Sequence, residues 1–181
     1  MSTVNKFIAL CFLTFLVTAC GYFTGDQGIS DYELETMYID ANLLFALALP
    51  EPWKEVEQGT WPYPSDDSVA WRSQEQNAAG HPDVVARITS HPPETAIGGF
   101  NRLESRFLEN RTGFKKISDT ETDINGLPAL RVVGRFADRQ SLVVFITTSR
   151  RAFTLEFTAP ASEFDAYRLL FEEILQSFRV L

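Results

Sequence analysis

The stretch ALRVVGRFADRQSLVVFITTSRRAFTLEF, residues 129–157, decides the fold of this chain. Apolar side chains alternate with other residues along three runs in it, as they do along the strands of a sheet. The alternating sets are Leu130, Val132 and Phe136 with Arg131, Val133 and Arg135; Leu142, Val144 and Ile146 with Val143, Phe145 and Thr147; and Phe153, Leu155 and Phe157 with Thr154, Glu156 and Thr158. Polar turns at 138–140 and 149–151 separate the runs. Connections this short join antiparallel neighbours, so the stretch predicts a three-stranded meander.

A helix is predicted directly after the meander. Pro160 ends the last strand, and the Ser162 hydroxyl is expected to cap a helix by accepting from the backbone N–H near Asp165. Large apolar residues then recur at steps of three and four, at Phe164, Tyr167, Phe171, Ile174 and Phe178. This spacing places them on one face of a helix. The aromatic stripe is interpreted as core that packs on the sheet and not as a cofactor site.

Earlier parts of the chain supply further strands and a second helix. Apolar runs or alternation predict strands at 43–49, 69–71 and 84–88. Helical spacing of apolar residues predicts an amphipathic helix over 98–111. An extended stretch from Gly113 ends in Asn125-Gly126, a dipeptide suited to a tight hairpin turn. The expected fold class is therefore α+β, an antiparallel β-sheet flanked by α-helices and preceded by a signal peptide and a short tether.

The N-terminus has the parts of an export signal. Lys6 precedes an apolar run from Phe7 to Val17, which is about half as long as the ~20 residues that a membrane-spanning helix needs. The run ends in Val17-Thr18-Ala19-Cys20, which resembles the lipobox of bacterial lipoproteins. We therefore expect cleavage before Cys20 and attachment of a diacylglyceryl group, with fatty acids such as palmitate, to its thiol. The alternative is an ordinary secretory signal that is cut near Ala19.

These features divide the chain into three parts. Residues 1–19 are predicted as the lipoprotein signal peptide, 20–41 as the lipidated cysteine and its tether, and 42–181 as the folded domain. The second half of the tether, 31–40, has two open interpretations, a short helix or the first edge of the domain. Removing Cys11 with the signal leaves Cys20 as the one cysteine, so no disulfide and no cysteine metal site are expected.

Composition and the residue after the cysteine limit the location and the partners. The formal net charge of −8 argues against nucleic acid, because phosphate binding requires a dense surface of lysine and arginine. The chain is expected in the cell envelope, held on a membrane through lipid on Cys20. Gly21, in place of an aspartate, favours the periplasmic side of the outer membrane if the source is Gram-negative.

Several motifs resemble those of PsbP-like and DcrB-like domains, over residues 42–181. They are the run AFTLEFTAP at 152–160, SFRV at 177–180, NGLPALR at 125–131 and LPEPW at 49–53. The resemblance implies a PsbP-like α/β/α sandwich, exported and often lipid-anchored, that acts as an accessory or assembly subunit. These are packing and turn motifs, and none of them is catalytic.

The sequence offers little sign of catalysis or of metal binding. His81 and His91, with neighbouring carboxylates, would lie on the order of 30 Å apart at opposite ends of a strand, so both are interpreted as loop histidines. No G-x-S-x-G frame is present, and the carboxylate pairs Glu172-Glu173 and Asp66-Asp67 are expected to be solvated. We therefore expect a protein that is not an enzyme and has no catalytic residue, metal or cofactor.

Two surfaces are candidates for contact with an envelope or membrane protein partner. The first is a basic patch of Arg131, Arg135, Arg139, Arg150 and Arg151, which strand alternation is expected to gather on one side and one end of the sheet. The alternative is that these arginines pair with Glu156, Glu172 and Glu173. The second surface is the loop that carries Trp53, Trp61 and Tyr63, residue types common at interfaces. Its alternative is a lid over one end of the sheet.

The sequence thus predicts a lipid-anchored, non-enzymatic accessory or binding protein of the bacterial cell envelope. The alternative is a ligand- or metal-ion-binding module that assists uptake or stabilises a membrane complex.

Overall fold

The computed structural model describes residues 34–51, 53–57, 59–60, 65, 67–74 and 84–181. The elements are β1 (Leu34–Asp40), β2 (Phe45–Pro50), β3 (Lys54–Glu55), β4 (Ser68–Arg72), β5 (Val85–His91), α1 (Pro93–Ala96), α2 (Gly99–Asn110), β6 (Lys115–Ile124), β7 (Leu127–Phe136), β8 (Arg139–Thr147), β9 (Ala152–Pro160), α3 (Phe164–Ser177) and β10 (Arg179–Val180). The predicted signal peptide, Cys20 and most of the predicted tether lie outside these ranges. The described part of the chain is an α+β domain, as predicted.

The described strands form two sheets. The larger has the order β3-β4-β5-β9-β8-β7-β6, and the smaller has the order β1-β2-β10. Every strand pairing is antiparallel. The predicted meander is confirmed as β7, β8 and β9, and β9 continues the sheet by pairing with β5. Asn125 (φ 55°) and Gly126 (φ 81°) make the predicted tight turn between β6 and β7.

One face of the large sheet carries most of the core. The predicted stripe of α3 is buried against it. Phe178 lies 5.4 Å from Phe153 and 6.1 Å from Phe45, measured between ring centroids. Phe45 belongs to β2, so the small sheet and α3 together close this face, which we call the α3 face.

The opposite face is covered over a smaller area. From α2, Leu103 and Phe107 pack against a patch of the sheet formed by Leu130, Val132, Val143, Phe145 and Ala152. We call this the α2 face. Because helices lie on both faces, the described domain is an α/β/α sandwich, as the resemblance implied.

One local prediction was wrong, and one open question is answered. Glu163, not Ser162, is the N-cap of α3, and no side chain caps the helix. The chain instead turns through a backbone bond in which the N–H of Glu163 donates to the Pro160 carbonyl over 3.0 Å. Of the two interpretations of residues 31–40, the first edge of the domain is supported, because β1 pairs with β2 and Tyr38 packs edge-on against Trp71, at 4.7 Å between ring centroids. The folded domain therefore extends upstream of residue 42 and includes residues from Leu34.

The strand β6 forms the outer edge of the large sheet. It pairs with β7 alone, and every residue in it except Ile124 is exposed. Five of its ten residues are charged. Packing therefore contributes little to its position, which depends on backbone hydrogen bonds to β7.

Across the described residues, none of the helices is long and apolar enough to cross a bilayer.

Candidate functional site

A polar strip runs along the α2 face where α2 does not cover the sheet. The strands β5 and β9 pair so that Arg87 lies opposite Glu156 and Thr89 opposite Thr154. Successive side chains of a strand point to opposite faces, so the neighbours Ile88 and Leu155 enter the core of the α3 face. The same two strands therefore supply core on one side and polar groups on the other.

Glu156 is the centre of this strip. It is only 8% exposed, and one of its carboxylate oxygens, Oε2, accepts a hydrogen bond from Arg111 at the end of α2. The same oxygen lies 3.6 Å from Nε of Arg87. A buried carboxylate is costly unless charged donors compensate it, and here two guanidinium groups do so. The three side chains form what we call the arginine–glutamate bridge.

The bridge ties the helix to the sheet. Arg111 also lies over the Phe107 ring, 5.9 Å from its centroid. Burial lowers the pKa of Arg87 from its ordinary value, and the nearby Glu156 carboxylate opposes that change. Arginine keeps its charge under such conditions, so Arg87 remains a guanidinium cation in the bridge.

A cleft of about 320 Å³ opens on one side of the bridge, between α2 and β5. Its described lining is Ser65, Asp67, Arg87, Thr89, His91, Leu103, Arg106, Phe107, Asn110, Arg111 and Thr154. A smaller pocket of about 140 Å³ lies on the other side of the bridge, near Phe136, Arg139 and Ser141. The larger cleft is within the range of small-molecule sites and is the candidate functional site.

His91 occupies the inner wall of the cleft. It is the last residue of β5 and 8% exposed, so its interpretation as a loop histidine was wrong. Its Nε2 is 2.8 Å from Oγ1 of Thr154, and its buried Nδ1 has no hydrogen-bond partner within the described ranges. Burial, and secondarily the charge of Arg106, lower the pKa of His91 to about 4. The ring is therefore neutral at neutral pH. His81 lies outside the described residues.

The five predicted arginines do not form one patch. Arg131 pairs with Glu172 on the α3 face, so part of the alternative is confirmed. Arg135 Nε donates to Gln140 Oε1 over 3.1 Å, near Arg139, at the end of the sheet where β7 turns into β8. Arg150 and Arg151 lie between β8 and β9, at the other end of strand β8. That strand is nine residues long, which corresponds to roughly 26 Å between its ends.

The tryptophan loop is only partly described. Trp53 is buried in the core of the α3 face, because the chain turns sharply after β2 and the N–H of Trp53 donates to the Pro50 carbonyl over 3.1 Å. Its side chain is part of that core and is not available to a partner. The lid alternative, which concerns the whole loop, stays a prediction. Trp61 and Tyr63 lie outside the described residues.

Sequence reasoning missed the residues that form the cleft. Arg87, Arg106 and Arg111 were not selected, and Glu156 was considered only as a partner for the meander arginines. A signal was present, because Arg87, Thr89 and His91 continue the alternation of β5 with polar residues. A polar set on alternate positions of a buried strand indicates a site rather than a core.

The described residues contain no group of three or more His, Cys, Asp or Glu side chains that could hold a metal ion. Two acidic residues act on Tyr38, where burial and then the carboxylates of Glu55 and Asp40 raise the pKa of the phenol to about 12.

Comparison with known proteins identifies the fold of the chain. No family model and no curated protein matches the sequence. The cyanobacterial PsbP (CyanoP) of Synechocystis superposes with a TM-score of 0.60 at 18% identity, over 81% of this chain and 92% of that one. LpqN of Mycobacterium tuberculosis, described as involved in cell envelope biogenesis, has a TM-score of 0.55 at 14% identity, over 75% of this chain and 82% of that one.

A protein from Bacteroides thetaiotaomicron has a TM-score of 0.57 at 15% identity, over 82% of this chain and 49% of that one, so this chain spans about half of its length. Identities this low establish architecture and not activity. The agreement extends over most of the described domain, with helices on both faces of an antiparallel sheet. The chain therefore has a PsbP-like fold.

Proposed function

We propose that this chain is a lipid-anchored, non-enzymatic accessory or binding protein of the bacterial cell envelope, and that the cleft on its α2 face contacts its partner or ligand. The observation that carries the proposal is the buried arginine–glutamate bridge beside an open cleft. Charged groups are expensive to hold within a sheet and are common at binding sites.

The chemistry of the cleft favours binding over catalysis. A general base must be free to take a proton from its substrate. The Glu156 carboxylate is engaged by two guanidinium groups, and His91 Nε2 is hydrogen-bonded to Thr154. The Thr154 hydroxyl is within hydrogen-bond distance of His91, but no described residue bonds to His91 Nδ1 to orient the ring as the base of a catalytic triad is oriented.

The fold and the N-terminus support the location. LpqN, which shares the fold, is described as involved in cell envelope biogenesis. The sequence Val17-Thr18-Ala19-Cys20 is similar to a lipobox, and a thioether-linked diacylglyceryl group with a further acyl chain would hold a protein on a membrane far more firmly than a single chain does.

Replacing the predicted lipidated cysteine tests the anchor. Cys20→Ser in the full chain should move the protein out of the membrane fraction and abolish incorporation of labelled palmitate. Cys11→Ser is the matched control, since Cys11 lies in the segment that cleavage removes, and it should leave both unchanged. A Cys20→Ser protein that stays in the membrane fraction would refute the lipid anchor.

Crosslinking from two positions tests the contact surface. A photoreactive residue at Arg106, beside the cleft, should capture a specific envelope component in intact cells, whereas one at the exposed Arg168 of α3 should not. Equal capture from both positions, or none from Arg106, would count against the α2 face as the working surface.

A further inference from the structure

The charges around the cleft do not cancel. Among the described residues, three guanidinium groups, of Arg87, Arg106 and Arg111, line it. Two carboxylates oppose them, that of Asp67 in the cleft wall and that of Glu156 in the bridge. One positive charge is left over in a chain whose formal net charge is −8.

The surplus charge belongs to Arg106. Arg87 and Arg111 share the Glu156 carboxylate, whereas Arg106 makes no ion pair with any described residue. Its side chain leaves α2 one turn before Asn110, whose Nδ2 donates to the Arg106 carbonyl over 3.0 Å. Arg106 lines the cleft together with His91. Its positive charge also contributes to the lowered pKa of that ring.

The rest of the wall suits a small organic molecule with a polar end. The hydroxyls of Thr89 and Thr154 and the amide of Asn110 offer hydrogen bonds, and Leu103 and Phe107 offer an apolar surface. The buried His91 Nδ1, which lacks a partner in the described structure, is a further polar atom of this wall. A volume of about 320 Å³ accommodates a ligand of small metabolite size.

We propose that the cleft binds a small organic molecule bearing one singly charged oxyanion, with the Arg106 guanidinium as its ion-pair partner. A carboxylate or a phosphodiester supplies such a group, and the planar guanidinium matches the oxygens of either one. A metal cation would meet a net positive lining. The inference deepens the proposed function and rests on it only in taking the cleft as the working surface.

Calorimetry on the purified full chain in non-ionic detergent at low salt tests the inference. The probes are butyrate for the carboxylate and dimethyl phosphate for the phosphodiester, with butyramide and trimethyl phosphate as neutral analogues of similar shape. At least one anion should bind, and its neutral analogue should not. Arg106→Gln should weaken that binding about tenfold, which corresponds to ~1.4 kcal/mol.

Arg168→Gln is the matched control, because it removes one exposed guanidinium from the other side of the molecule. It should leave the affinity unchanged. Equal loss in both variants would mean a general charge effect and would overturn the site, as would binding of the neutral analogues or the absence of binding by both anions.

A displacement experiment distinguishes a lipid headgroup from a free carboxylate as the source of the anion. If dimethyl phosphate binds and short-chain phosphatidylglycerol displaces it, the natural ligand is a lipid headgroup; if butyrate alone binds, it is a free carboxylate. If neither anion binds, the proposed lipid anchor is not affected, because release of the Cys20→Ser protein from membranes is measured separately.

Discussion

The two faces of the large sheet use the same strands for different purposes. On the α3 face, α3 and the small sheet cover strands β4, β5, β8 and β9, and the buried residues there are apolar and rich in phenylalanine. On the α2 face, one helix covers a small apolar patch and leaves Arg87, His91 and Glu156 beside a cleft. Because side chains alternate between faces, β5 and β9 can stabilise the fold and build a site without conflict. A site therefore forms where packing is incomplete.

The largest expected effect compares one phenylalanine from each face. Phe153→Ala should lower the free energy of unfolding by about 4 kcal/mol. The change opens a cavity beside the rings of Phe45 and Phe178, and the neighbouring side chains cannot move in to fill it. Phe107→Ala, on the smaller patch, should lower it by about 3 kcal/mol, since α2 can shift inward and partly fill the cavity. Urea unfolding of both variants measures the difference.

Equal losses in these two variants would contradict the comparison, because they would mean that the α2 face is packed as firmly as the α3 face. A larger loss for Phe107→Ala would reverse it.

The next largest effect is a dependence of stability on pH that arises from His91 on the α2 face. His91 is neutral in the folded protein down to about pH 4, whereas in the unfolded chain it takes up a proton near pH 6.5. The unfolded state therefore binds more protons in this window, and stability should fall as the pH drops from 6.5 to 4. The full loss is up to ~3 kcal/mol at 1.36 kcal/mol per pKa unit.

The His91→Gln variant isolates this contribution. Carboxylates also titrate in the window, and Arg106, Arg87 and Asp67 face the ring, so the quantity to compare is the difference between wild type and variant at each pH. Wild type should lose stability more steeply than the variant below pH 6.5. Parallel curves would show that His91 is not held neutral by burial.

The smallest effect compares two carboxylates that each meet arginine. Glu156→Ala should cost about 2 kcal/mol, because Arg87 and Arg111 are left close together in a poorly solvated place. Glu172→Ala should cost less than about 1 kcal/mol, since the Arg131–Glu172 pair is about 30% exposed on each side. Thermal unfolding measures both losses. A larger loss for Glu172→Ala would contradict the prediction, because it would mean that the ion pair on the α3 face stabilises the fold more than the arginine–glutamate bridge does.

Much of the fold followed from periodicity. Alternation between 129 and 157 predicts β7, β8 and β9, and the spacing from Phe164 to Phe178 predicts α3, because both patterns report a single buried face. The ends of the strands and helices were predicted less accurately than their positions. The strand β5 continues three residues past the predicted end at 88, and this difference converts His91 from a loop residue to a buried one.

The cleft could not be predicted in the same way. Arg111 and Glu156 are 45 residues apart, and their contact depends on where α2 lies across the sheet. Periodicity says which side of a strand a residue occupies, but it does not say how much of that side a helix covers. The arginines of the meander looked clustered in sequence, yet a strand of nine residues separates the two turns that hold most of them.

The exposed strand β6 has a consequence for how the molecule meets other copies of itself. An open sheet edge can recruit a foreign strand and start aggregation. Here the edge carries Lys115, Lys116, Asp119, Glu121 and Asp123. An incoming strand would have to lie against these side chains, and edge charges of this kind are a recognised guard against such pairing. The charges of β6 therefore disfavour extension of the sheet by a strand from another copy of the chain.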